Sequence, residues 1–146
     1  LTPIGVSILA SIVQKETAKV DERPRIAGVY LNRLHSNMML QADPTAIFGY
    51  KNHLGDYTLV IKRVTGLHTS LENPYNTYQN YGLPIGLITM PDISSIEAVL
   101  NPEQHDYFFF AADTENFGYH KFSRTFLQHS QEAKKYHKWA DEKGVK

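Results

Sequence analysis

No cysteine occurs among the 146 residues. That excludes disulfide staples and thiolate chemistry, and it leaves the compartment open, because exported proteins can also lack cysteine. Long hydrophobic runs are missing as well. Nothing approaches the roughly 20 apolar residues that cross a bilayer, and the most apolar stretch, Tyr107 to Ala112, reads as a buried strand. Nor is one sign of charge in excess: 15 basic side chains balance 15 acidic ones. A nucleic-acid partner held by bulk electrostatics is therefore not expected. No GxSxG elbow is present, and Ser7, Ser11 and Ser123 read as ordinary helix or strand serines. The two glycines of Gly82-Leu83-Pro84-Ile85-Gly86 do not make a phosphate cradle, since proline removes a backbone donor there. The seven histidines include neither HExxH nor an i, i+4 pair, so a metal site is not expected.

What is present is an ordinary globular composition, 42% hydrophobic and 21% charged. The length suits one domain with a real core, placed at residues 1–146. The chain opens on Leu1 without a charged-then-apolar leader. It reads as a fragment whose anchor or targeting signal would lie upstream.

Thr2 and Pro3 are suited to the N-cap and first position of an opening helix. A second helix is expected near Pro24, with Asp21 and Glu22 at its positive end. Met38 to Asp43 reads as extended, followed by a short helix through Phe48 with Asp43 as N-cap. Leu59, Val60, Ile61 and Val64 look strand-like, although a helix is also compatible. Asn73 to Pro91 is a long loop dense in Pro, Gly, Asn and Tyr, of the kind that carries function. Ser94 to Glu97 matches a capping box for a helix ending near Leu100. Residues 106–112 and 119–123 read as a hairpin. A last helix starts after Thr125, with Gln128 completing a possible capping box, and stops at Gly144. The expected class is α+β: one compact domain with N- and C-terminal helices around a small, mainly antiparallel sheet.

Glu16 stands out within this frame. Leu9, Ile12, Val13 and Glu16 share one helical face, so a carboxylate ends an apolar stripe. Such a group can snorkel into water, or burial can raise its pKa until it serves as a general acid. Asn73-Pro74-Tyr75-Asn76-Thr77-Tyr78 offers phenols, amides and a hydroxyl. These groups suit sugar stacking and hydrogen bonding, and equally suit a loop satisfying its own backbone. His120 shares a strand face with Phe122, which fits either packing or a site.

Taken in order, Ile12-Val13-Gln14-Lys15-Glu16-Thr17, Val29 to Leu34, Leu40 to Thr45, Tyr75 to Tyr78, Gly82 to Gly86 and Gly118 to Ser123 with His129 form a set. This set resembles the catalytic domain of the YceG-like (MltG-type) endolytic murein transglycosylases, from about Ile8 to Tyr136. The resemblance implies internal cleavage of peptidoglycan glycan strands, leaving 1,6-anhydro-muramic ends without metal or cofactor. It places the general acid, then base, at Glu16. It suggests Gln41, Asp43, Tyr75, Asn76, Thr77, Tyr78, Gly82, His120 and Ser123 as substrate-binding residues, with His129 a weaker candidate. Where many relatives carry a second Glu, this chain has Gln14. Ile85 replaces a proline common in the family's turn. The resemblance also implies a single-pass anchor in the inner membrane, with the domain on the periplasmic side and a LysM-like region between them. Peptidoglycan synthases are implied partners. A lysozyme-type hydrolase using Asp43 and a non-catalytic glycan-binding module are the alternatives.

Overall fold

The computed structural model describes residues 1–144. Helix α1 runs Pro3–Glu16. Thr2 Oγ1 accepts the Gly5 N–H at 3.1 Å, and Pro3 occupies the first turn. The helix is buried along Ile8 to Val13 and forms the centre of the domain. It packs against α2 (Arg23–His35), α3 (Asp43–Leu54) and α5 (Ile93–Leu100). The core gathers Leu9, Ile12 and Val13 of α1, Ile26, Ala27 and Tyr30 of α2, Leu40, Ile88 and Val99. At Thr17 the backbone turns extended, so Glu16 ends α1 at the edge of this core. A 3-10 turn, Val20–Glu22, leads into α2.

The described residues contain one sheet, the antiparallel pair β1 (Phe109–Ala112) and β2 (His120–Ser123). Phe109 faces Ser123 and Ala112 faces His120 in the register. Helix α6, Phe126–Glu142, packs along both strands. Thr125 Oγ1 accepts the Gln128 N–H at 3.2 Å, and Gly144 takes the left-handed φ of +70° that ends the helix. The α+β arrangement with helices at both ends around a small antiparallel sheet is as expected.

Several local expectations are corrected. Residues 59–64 form neither strand nor helix, because among the described residues no strand lies beside them; Val60 is 79% exposed. The short helix α4, Gly66–Thr69, follows instead. Helix α3 continues past Phe48 to Leu54, where Gly55 at φ +70° stops it. Its N-cap is Ala42, not Asp43, whose side chain is engaged elsewhere. Ser94 and Ser95 are not a capping box: Asp92 is the N-cap, and the two hydroxyls bind Arg23 and Gln14. The Tyr107 to Ala112 stretch is half-buried, because one side borders a cavity.

Candidate active site

The end of α1 opens into a cavity of about 640 Å³. Its walls come from α2 (Val29, Tyr30, Arg33), the 40–44 turn, Tyr78, β1, His120 and the inner face of α6. Lys62, Arg63 and Val64 complete one side. Arg33 fixes two of these walls. Its buried guanidinium donates to the Phe108 carbonyl and to the Met39 carbonyl, both at 2.7 Å.

Glu16 lines this cavity from the apolar end of α1. The Tyr30 hydroxyl, from a residue only 2% exposed, donates to Glu16 Oε2 at 2.5 Å. The carboxyl is pushed up to about 7. Desolvation is the main cause, and the charge of Asp43 adds to it; the Tyr30 hydrogen bond and His120 pull the other way. Near neutral pH a large fraction of Glu16 therefore keeps its proton. Gln14 lies two residues earlier but points elsewhere. Its Oε1 accepts the Asp92 N–H at 2.9 Å and the Ser95 hydroxyl at 2.8 Å, tying α1 to the start of α5.

A second phenol–carboxyl pair stands on the same cavity. Tyr78 O–H donates to Asp43 Oδ1 at 2.5 Å. Asp43 is open to the cavity while protein walls withdraw part of its solvent. That desolvation raises its carboxyl, against the opposing Tyr78 hydrogen bond. Its neighbour Gln41 also lines the cavity, in the left-handed region at φ +47°. A non-glycine residue there carries backbone strain, and its N–H is held by the Thr77 carbonyl at 3.2 Å.

His120 reaches the cavity from β2. Its backbone N–H donates to Glu22 Oε1 at 2.7 Å, and its ring Nδ1 lies 2.8 Å from Glu22 Oε2. His129 of α6 stacks on Phe109 at 5.1 Å, and its buried Nδ1 has no hydrogen-bond partner among the described residues. Desolvation lowers its pKa, and the charge of Arg33 adds to that.

The structure thus brings Glu16, Gln41, Asp43, Tyr78, His120 and His129 together. It does not bring Tyr75, Asn76, Thr77, Gly82 or Ser123 to the cavity. Asn76 is 1% exposed and spends its amide on the carbonyls of His68, Thr69 and Leu71. Thr77 is fully buried; its hydroxyl accepts the Ala42 N–H and meets Thr45 Oγ1 at 2.7 Å. These two residues hold the 41–45 turn and Tyr78 in place. Tyr75 packs edge-on to Phe48 at 4.6 Å. Gly82 takes φ +79° in open space, so the turn needs it for conformation and not for close approach. Ser123 is 4% exposed at the end of β2. Sequence reasoning did not single out Tyr30, Glu22 or Arg33 as site residues. A phenol and two charges at core-facing helical positions need buried partners, and that was the available signal. Among the described residues no three His, Asp or Glu side chains are grouped to hold a metal.

This geometry can be set beside known proteins. The profile of the YceG-like family matches residues 1–135. The chain belongs to the YceG-like family. Among curated members, an endolytic murein transglycosylase of Bacillus subtilis is 35% identical over 128 residues, 88% of this chain and 33% of that protein. An endolytic murein transglycosylase of Streptococcus pneumoniae is 38% identical over 113 residues, 77% of this chain and 20% of that protein. The chain therefore spans a third or less of these curated relatives. A crystal structure of a putative yceG-like protein from Listeria monocytogenes superposes with a TM-score of 0.73 at 39% identity, covering 84% of this chain and 38% of that one. This YceG-like chain shares its fold with that protein.

Proposed function

We propose that this YceG-like domain is an endolytic murein transglycosylase that cleaves between N-acetylmuramic acid and N-acetylglucosamine inside glycan strands. The observation that carries the reading is Glu16: a carboxyl pushed up to about 7 at the wall of a cavity bordered by aromatic rings. The names of the relatives support the substrate class.

In this reading the protonated Glu16 donates to the glycosidic oxygen as the bond to C1 breaks through an oxocarbenium-like state. The resulting carboxylate takes the proton of the muramic C6 hydroxyl as that oxygen closes on C1. Proton count balances, and Glu16 returns to its acid form. The attack is intramolecular, which favours it over water. Tyr30 fixes Oε2, leaving Oε1 as the oxygen that faces substrate. Asp43, Tyr78, Gln41 and His120 hold the sugars in the cavity. Thr77 and Asn76 serve them by fixing the turn beneath. Tyr75 remains a proposed contact for a sugar beyond the cavity, while buried Ser123 and the turn residue Gly82 shape the fold around it. In the whole protein the domain would sit outside the cytoplasmic membrane on a single-pass anchor, near the synthases that make its substrate. Among the described residues no helix is long and apolar enough to cross a membrane.

A hydrolase is the second reading, because Asp43 puts another carboxyl on the same cavity. There it would act as base for water or as nucleophile. Mass spectrometry of digested glycan strands tests both readings. Anhydro-muramic ends from the wild type, and none from Glu16→Gln, are expected. Reducing muramic ends would favour the hydrolase. No cleavage by the wild type, with strands still bound, would make the domain a glycan-binding module.

A further inference from the structure

The Glu22–His120 contact uses both oxygens of one carboxylate on one residue. Glu22 sits in the 3-10 turn before α2 and is 6% exposed. His120 opens β2, 98 residues later. The backbone N–H of His120 takes Glu22 Oε1 at 2.7 Å, and ring Nδ1 takes Oε2 at 2.8 Å. Phe110 closes one side of the ring, edge to face at 5.2 Å. The Nδ1 contact and the aromatic wall orient the ring, and the backbone bond ties its strand to the same carboxylate.

A carboxylate only accepts hydrogen bonds. Nδ1 must therefore carry the hydrogen in that contact, and Nε2 is the nitrogen left over. It makes no hydrogen bond among the described residues, while the ring lies on the cavity that holds Glu16. In the neutral ring Nε2 is an acceptor. Sugars bring hydroxyl donors.

We propose that Glu22 and His120 work as a pair on the bound strand: Glu22 fixes the His120 tautomer with hydrogen on Nδ1, and His120 Nε2 accepts a hydrogen bond from a sugar hydroxyl beside the bond that Glu16 cleaves. His120 touches substrate and Glu22 acts through it, as a positioning residue. The assignment rests on the reading of the cavity as a glycan site. It goes beyond that reading by giving one nitrogen, one tautomer and one buried carboxylate behind it.

The test begins with long-range ¹⁵N–¹H correlation on the whole chain at a pH where the ring is neutral. Wild type is expected to carry hydrogen on Nδ1. In Glu22→Gln the new amide donates to Nδ1, so the hydrogen moves to Nε2. Hydrogen on Nε2 in the wild type overturns the proposal. Next, the Glu16→Gln protein is saturated with purified glycan strands. The His120 Nε2 resonance is expected to move upfield, as an imidazole acceptor does. Strand binding seen by tryptophan fluorescence with Nε2 unmoved sinks the pair alone. Absence of strand binding sinks the glycan reading and the pair together.

Kinetics complete the test. His120→Asn keeps a donor for Glu22 but ends short of Nε2. Both it and Glu22→Gln are expected to lower kcat by about 10- to 100-fold with KM within about 3-fold. The double variant should be no worse than His120→Asn, as for groups acting as a unit. Strictly multiplicative losses, or wild-type kcat in Glu22→Gln, would overturn the pairing.

Discussion

Two phenol–carboxyl pairs face the same cavity, and they are not equivalent. Glu16 with Tyr30 sits at the end of a buried helix, against the core; Asp43 with Tyr78 sits on an open turn at the start of α3. Each carboxyl accepts a phenol hydrogen bond of 2.5 Å, a contact that favours the charged form. Desolvation overrides that bond most fully at Glu16, which reaches about 7. Asp43 is raised as well, but it keeps solvent contact and lies in the first turn of a helix, where the dipole favours negative charge. Desolvation is the largest cause of the rise at both carboxyls, so depth, more than the hydrogen-bond partner, sets the two apart. Asp43 then has a second effect: its charge is the next largest cause of the rise at Glu16.

The comparison can be broken by removing one carboxyl at a time. Glu16→Gln is expected to lower strand cleavage by about 10³-fold or more, measured as anhydro ends released, in line with loss of a general acid and of its positioning. Asp43→Asn should cost about 10-fold in kcat/KM, the scale of one charge-assisted substrate contact. It should also move the alkaline limb of the pH–rate profile to lower pH, because a charge that raises Glu16 is gone. Tyr30→Phe moves the same limb the other way, since it removes a bond that lowers the Glu16 pKa. Its stability cost should be about 1 kcal/mol by urea unfolding.

A further effect concerns stability alone. Glu16 is raised from 4.5 to about 7 in the fold. The unfolded chain thus releases this proton first, and stability due to Glu16 is complete below pH 4.5 and lost as pH rises through about 7. Glu16→Gln does not titrate. It should therefore be more stable than wild type at pH 8, by on the order of 1–3 kcal/mol, with the difference shrinking below pH 4.5. Melting curves at the two pH values check this. An inactive protein that melts higher would mark Glu16 as a residue kept for function at a cost in stability.

The two pairs differ in how well the sequence announced them. Glu16 was legible because α1 is a local affair: Thr2, Pro3 and the Leu9, Ile12, Val13 stripe set its start and its face. The hairpin and α6 were legible for the same reason. The Asp43 pair was not. Its local pattern, Asp followed by Pro, reads as a helix cap, but the side chain is claimed by Tyr78 from 35 residues away. Glu22 likewise looked like a helix-dipole charge until His120 arrived from 98 residues away. In the 75–78 segment, composition suits sugar contacts and a loop satisfying its own backbone equally, and the resemblance implies sugar contacts for all four residues. Asn76 and Thr77 are instead consumed by backbone groups of the neighbouring loops. Residues 59–64 differ for the opposite reason: their branched apolar side chains suit a strand or a helix, yet among the described residues no second strand lies beside them.

The central claim is that Glu16 holds its proton near neutrality, and a direct titration tests it. Carbon-detected NMR of the Glu16 carboxyl, assigned by its loss in Glu16→Gln, should give a midpoint of about 7, moving lower in Asp43→Asn. A midpoint near the ordinary 4.5, unmoved by Asp43→Asn, would contradict the account.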